Sequence, residues 1–238
     1  DEAHQLGPGA ANALLKVVEE PPAHVVFILA TTEVEKLLDT ILSRCQVFIM
    51  RSPSRAVLAE TVTDVAKKEG FTLSPDAADL IAVAADGSFR DALGVTQKVI
   101  MASGDKIGEA DEVAVIIGAP KVATMQALVK GLHEKKVDEA LSAIAAAAAS
   151  QVDMKLFARV LLEHIRAVML VRNQPAKKAV ILANFGGDTA ILLESLASGE
   201  TAINSHMLLR FLKAAEQIQF SPVPHLPLEI AVMELGEK

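Results

Sequence analysis

The spacing of hydrophobic positions changes character once along the chain, near Ser52-Pro53-Ser54. Before that point helical and strand-length apolar segments alternate; after it, every apolar segment repeats at helical spacing. In "NALLKVVEE" apolar residues recur one turn apart, and the pattern stops at Pro21-Pro22. "HVVFILATT" is an unbroken apolar run of strand length, and a second, "CQVFIM", follows a helical "EKLLDTILSR". Unbroken rather than alternating apolar strands predict a parallel sheet covered on both faces, so residues 1–51 read as a piece of an α/β domain.

From Ser52 the strand signal is not expected to return. "RAVLAETVTDVAKKEG" predicts a helix ending at Gly70, "SPDAADLIAVAADG" one that starts at Ser74-Pro75 and ends at Gly87, and "SFRDALGVTQKVIMASG" one that starts at Ser88. Ser88 and Asp91 have the spacing of a capping box, in which each side chain satisfies the other's backbone amide. A shorter helix, "EADEVAVIIG", precedes a break at Gly118-Ala119-Pro120. The remainder, 119–238, reads as helical throughout: "ATMQALVKGLHEKKVDEALSAIAAAAAS", "DMKLFARVLLEHIRAVMLVRNQ", "DTAILLESLAS", "SHMLLRFLKAAEQIQF" and "PHLPLEIAVMEL". The alanine run Ala145–Ala149 suits a close helix crossing, and no short-period repeat is visible. The expected fold is mainly α with an N-terminal α/β part, in three regions: 1–51, 52–118 and 119–238.

Composition narrows the class. Hydrophobic residues make up 51% of 238, aromatics 3%, and Trp and Tyr are absent, which suits packed helices built from small aliphatic side chains. No apolar run approaches the roughly 18 residues of a membrane span. The formal net charge of -7 argues against a surface wholly devoted to nucleic acid, while leaving room for a local basic path. A single cysteine excludes a disulfide framework or a zinc cluster within the chain. No targeting segment is evident, and the expected compartment is the cytoplasm.

The candidate chemistry is ordered along the chain. Asp1-Glu2 could form, at a strand tip, the pair in which Asp holds Mg²⁺ and Glu orients and deprotonates the attacking water; an exposed turn is the plain alternative. Thr31 and Thr32 lie just past an apolar strand, where ligands bind in parallel α/β sheets. Their hydroxyls could sense a phosphate or merely cap the strand. Arg44, in Ser-Arg-Cys, follows a helix and could complement its dipole or reach a neighbouring subunit. Arg90 stands in the first turn of a predicted helix, where the dipole disfavours a cation, so an anionic partner is called for: Asp91 or a nucleotide phosphate.

Taken in order, "DEAH", "NALLK.VEEPP", "FILATTE", "ILSRCQ", "GSFRDAL" and "FSPVPHLPLEIAVMEL" resemble the gamma/tau subunits of bacterial DNA polymerase III, the AAA+ clamp-loader ATPases. The resemblance covers essentially the whole chain. It implies Walker B acids at Asp1 (magnesium ligand) and Glu2 (catalytic base), sensor 1 at Thr31 or Thr32, an arginine finger acting in trans at Arg44, and a sensor 2 arginine at Arg90. It also implies a helical lid over 52–118 and a helical collar over 119–238. The cofactors implied are ATP and Mg²⁺, and the function implied is ATP-driven loading of the sliding clamp onto primed DNA. The partners implied are the other clamp-loader subunits in a pentameric ring, the sliding clamp, the polymerase core and primer-template DNA. Lys16 and residues 7–10 could lie on the path of the DNA phosphates or on an ordinary solvated surface.

The pattern departs from that family in one large respect. No "GxxxxGK[ST]" phosphate loop is present, nor the family's four-cysteine zinc module. The resemblance therefore implies a chain that starts midway through the ATPase domain, binds ATP poorly by itself, and exposes unpaired backbone and apolar faces along "HVVFILAT". A non-hydrolysing clamp-loader subunit of the delta-prime type, which donates only a finger, is the alternative. A DEAH helicase lacks support, because a helical lid follows where a second RecA-like domain is required.

Overall fold

The computed structural model describes residues 1–103, 107–199 and 201–236. It forms two compact units, 1–51 and 52–238.

In the first unit, helix α1 (Pro8–Glu19) opens with Pro8 at its first position, where a missing N–H costs nothing, and ends ahead of Pro21-Pro22. The two apolar runs do not pair into a sheet: among the described residues the sole strand ladder lies in the second unit. From Val25 to Glu33 exposure instead alternates with period two, as in an extended segment with one covered face. Phe27, Leu29 and Thr31 are on the half-buried side, whereas Val26 and Ile28 are each 84% exposed. In "CQVFIM", Ile49 and Met50 are more exposed still. The expected two-sided parallel sheet is thus corrected to unpaired segments, because a parallel strand draws its stability from neighbours on both edges and both faces. The exposed apolar faces expected along "HVVFILAT" are present.

The expected helix "EKLLDTILSR" is also broken. It becomes a 3-10 turn at Val34–Lys36 and a single helical turn, α2 (Asp39–Leu42), separated by Leu37 and Leu38 in extended conformation. A short helix is marginal unless its apolar stripe packs on something, and of this segment only Ile41 is buried.

The second unit is built from capped helices. Ser54 opens α3 (Arg55–Lys68) and Ser74 opens α4 (Pro75–Ala84), each accepting a backbone N–H at 3.3 Å. Helices α5 (Phe89–Ala102) and α6 (Ala110–Ile117) follow, the latter stopped by Gly118 at φ 71°, a left-handed value that favours glycine. The predicted end of α5's segment, Gly104, lies outside the described residues. A strand signal does return here: β1 (Thr72–Leu73) pairs in parallel with β2 (Ile107–Gly108). Gly108 permits it, since a Cβ there would sit 2.8 Å from the Phe71 ring. Leu58, Val62, Phe71, Ile81, Val99 and Val113 form the core of this four-helix cluster.

The larger core surrounds α9 (Met154–Asn173), whose Phe157, Leu161, Ile165 and Val168 are almost wholly enclosed. Around it pack α7 (Val122–His133), α8 (Val137–Ala149), α10 (Lys178–Leu182), α11 (Gly187–Ala197), α12 (Ser205–Gln217) and α13 (Leu226–Gly236). Each fully buried large side chain contributes about 1.5–3 kcal/mol of burial free energy. The stretch read as one helical run divides at Lys135, φ 58°, into α7 and α8. The two pack tightly at Gly131, where a Cβ would meet the Ala140 amide nitrogen at 3.1 Å. In the alanine run only Ala147 is buried, so the tight crossing lies elsewhere than expected.

Polar ties join the four-helix cluster to the larger helical part. Arg159 of α9 donates to the Val83 and Ala84 carbonyls at the end of α4 and to Asp86 at 2.8 Å. Arg55 pairs bidentately with Asp79 and lies 5.0 Å from the centroid of the Phe185 ring. Burial raises the Asp79 carboxyl above its ordinary value, against the pull of Arg55. Behind Phe185 sits buried His164, its Nδ1 2.7 Å from the Val160 carbonyl; burial lowers its pKa to about 4. No single helix among the described residues is long and apolar enough to cross a membrane.

Candidate functional site

Asp1 and Glu2 precede a 3-10 turn, Ala3–Gln5, rather than ending a paired strand. Glu2 is left-handed, φ 49°, and its N–H donates to Asp1 Oδ1 at 3.0 Å. One backbone bond, from the Ala3 N–H to the Ala30 carbonyl at 2.9 Å, sets this acid pair beside the end of the 25–33 segment. That contact accompanies the meeting of His4 and Thr31 across 27 residues of sequence.

The side chain that joins them is His4, only 13% exposed. Its Nδ1 lies 2.8 Å from Thr31 Oγ1 and 3.3 Å from Glu2 Oε2, and its Nε2 lies 3.2 Å from Glu33 Oε2. The Thr31 hydroxyl also accepts the Glu33 N–H at 3.1 Å. Thr31 is on the covered side of the segment and Thr32 on the open side. Spacing alone does not separate Thr31 from Thr32, and His4 and Glu33, which stand inside "DEAH" and "FILATTE", join the site only through these contacts. For Glu33 a signal exists, the period-two register of 25–33, which places it on one side with Thr31.

Arg44 lies elsewhere in the first unit. Its guanidinium donates to the Thr40 carbonyl at 2.8 Å, complementing the end of α2, and pairs with Glu19 of α1 at 2.6 Å. With 39% of its side chain exposed, it remains accessible.

Arg90 belongs to the second unit, in the first turn of α5. It is exposed and makes no ion pair or side-chain hydrogen bond with the described residues. Asp91 is thus not its partner. Of the expected capping box only one arm forms: Ser88 Oγ accepts the Asp91 N–H at 3.2 Å, while the Ser88 amide donates to the Ala85 carbonyl, which leaves the Asp91 carboxylate nothing to cap.

Magnesium is characteristically held through one or two carboxylates together with phosphates and water. The exposed Asp1 carboxylate, with one oxygen engaged by the Glu2 amide, fits that role. Among the described residues no group of three or more His, Cys, Asp or Glu side chains forms a self-contained metal site.

Comparison with known proteins places the chain by its sequence. A family model described as "DNA polymerase III, delta subunit" matches residues 1–54, and one described as "DNA polymerase III clamp loader subunit, ATPase lid domain" matches residues 58–105. Relatives include the DNA polymerase III subunit tau of Bacillus subtilis, 30% identical over 99% of this chain and 41% of that protein. The tau subunit of Escherichia coli is 35% identical over 74% of this chain and 27% of its own length. A solved structure, the Bacillus subtilis DNA clamp loader delta protein, aligns with 95% of the chain and 71% of its own at 14% identity and a TM-score of 0.40, too remote for a structural argument.

The two matched models and these relatives define the class, a clamp-loader subunit of DNA polymerase III. More particularly, the chain belongs to the gamma/tau family of DNA polymerase III subunits. It spans less than half the length of the curated relatives it matches.

Proposed function

We propose that this chain works within the clamp loader of DNA polymerase III, where ATP binding and hydrolysis drive the sliding clamp onto primed DNA. The observation that carries this reading is the junction of Glu2 and Thr31 through His4, because an acid to activate water and a hydroxyl to sense phosphate must face one reacting centre. In this reading 52–118 is the lid and 119–238 the collar that holds the loader's subunits in a pentameric ring. The sliding clamp, the polymerase core and primer-template DNA are the further partners.

Asp1 would hold the metal, and Glu2 would accept a proton from the attacking water. Thr31, rather than Thr32, would donate to a phosphate oxygen, a choice supported by its covered position and its contact with His4. Mg–ATP, when bound, supplies the electrophilic phosphorus and neutralises charge on its oxygens. Arg90 lacks a described anionic partner and is exposed at a helix start, which suits a sensor that gains its partner only with nucleotide. Arg44 would exchange Glu19 for a phosphate held by the adjacent subunit. Arg44 is the group whose role in trans can be tested most directly.

In a loader assembled with its partner subunits, Arg44→Ala should lower clamp-dependent ATP hydrolysis by on the order of 10³-fold. An unchanged rate overturns the finger assignment. The match of residues 1–54 to a delta-subunit model favours, as a second reading, a non-hydrolysing subunit that supplies only the finger. Glu2→Gln separates the two: hydrolysis at this subunit's own site is lost under the first reading and unaffected under the second.

A further inference from the structure

One imidazole stands between the two groups just assigned to water and phosphate, with its Nδ1 within reach of both. The Thr31 hydroxyl has one proton to give and already accepts the Glu33 N–H at 3.1 Å. The acceptor in reach of that proton is His4 Nδ1, at 2.8 Å. With Nδ1 accepting, the ring proton resides on Nε2, 3.2 Å from the Glu33 carboxylate, and the loop Glu33 amide, Thr31 hydroxyl, His4 ring, Glu33 carboxylate closes. Glu33 is steadied in turn by Lys36 at 2.6 Å. In that tautomer the Glu2 carboxylate, 3.3 Å from the same Nδ1, has no proton to accept there and stays open as an acceptor.

We propose that His4 is a positioning residue that couples Thr31 to Glu2: in its Nε2–H tautomer, Nδ1 accepts a hydrogen bond from the Thr31 hydroxyl and so keeps the threonine oriented beside an unengaged Glu2 carboxylate. This rests on the reading of Glu2 and Thr31 given above. A phosphate oxygen arriving at Thr31 competes with Nδ1 for the single hydroxyl proton. When the phosphate takes it, Nδ1 loses its donor within 3.3 Å of Glu2. Occupancy at the threonine is thereby communicated to the carboxylate through one ring.

The first test needs no catalysis. Nitrogen-15 spectra of the chain should show His4 as the Nε2–H tautomer, with an Nδ1 resonance shifted by an accepted hydrogen bond that Thr31→Val removes. An Nδ1–H tautomer, or an Nδ1 indifferent to Thr31→Val, overturns the proposal. The second test compares variants in the assembled clamp loader. His4→Ala should lower kcat on the order of tenfold with KM for ATP changed less than about threefold, the signature of lost orientation rather than lost binding. His4→Asn, whose amide reaches the Nδ1 position, should restore most of kcat, whereas His4→Gln, which reaches the Nε2 position, should not. If Glu2→Gln abolishes hydrolysis while His4→Ala leaves it unchanged, the coupling fails and the ATPase reading survives. If Glu2→Gln itself changes nothing, that reading fails and takes the coupling with it.

Discussion

Residues 1–51 carry most of the candidate chemistry and almost none of the packing; residues 119–236 are the reverse. In the first unit only Ala3, Ala11 and Ile41 are buried, and Val26, Ile28, Ile49 and Met50 stand more than four-fifths exposed. In the helical region Phe157, Leu161, Ile165 and Phe211 lie almost wholly out of water. A helix satisfies its own backbone and needs a partner for one stripe, whereas an inner strand of a parallel sheet needs partners on two edges and two faces. The contrast teaches that a helical region can be complete within a stretch of chain that leaves neighbouring strands without a sheet.

The sharpest way to break this contrast is a matched pair of truncations. Phe157→Ala should cost about 3–5 kcal/mol of unfolding free energy, and Ile28→Ala, at a side chain already in water, should fall within about 0.5 kcal/mol of zero. Comparable losses by denaturant titration would mean that the first unit has a core of its own.

Acid sharpens the contrast next. The ordinary histidine value is 6.5 and that of buried His164 about 4, so its contribution is present above pH 6.5 and is lost as pH falls from 6.5 toward 4. Full loss amounts to on the order of 3 kcal/mol, carried by the helical region alone. Asp79 works oppositely: its carboxyl is raised, so its contribution is present below its ordinary value of 3.8 and is lost as pH rises through the folded value. Stability measured from pH 7 to pH 4 should therefore fall, and His164→Leu should flatten that slope.

A smaller effect is expected at a cap. Asn204 Oδ1 accepts the Met207 N–H at 3.0 Å, and Asn204→Ala should cost about 1 kcal/mol. In the first unit the exposed Arg44–Glu19 pair should contribute less, about 0–1 kcal/mol, so Glu19→Ala should barely move the melting temperature.

What could be read from sequence follows the same division. Ser74-Pro75, Ser88 and the stops at Gly70, Gly87 and Gly118 located helices whose determinants are local, and all three glycines adopt positive φ. The segment from Pro175 to Leu182, a 3-10 turn followed by α10, carried no clear pattern because it is short and packs by tertiary contact on α9. "HVVFILATT" and "CQVFIM" showed strand character that becomes a sheet only with partners, and "EKLLDTILSR" a helical stripe with little to cover it. The residue types of the candidate site stand in order in the sequence and the period-two register sets Thr31 and Glu33 on one side, but the place of His4 depends on a backbone bond between Ala3 and Ala30, which no spacing rule reveals.

The central claim, that residues 1–51 lack a core of their own while the helical region has one, is tested most directly by native-state hydrogen exchange resolved along the chain. Amides of α9 and α12 should exchange only through global unfolding, and those of Val25–Glu33 and Cys45–Arg51 at rates near those of an open chain. Equal protection across the two regions would contradict the account.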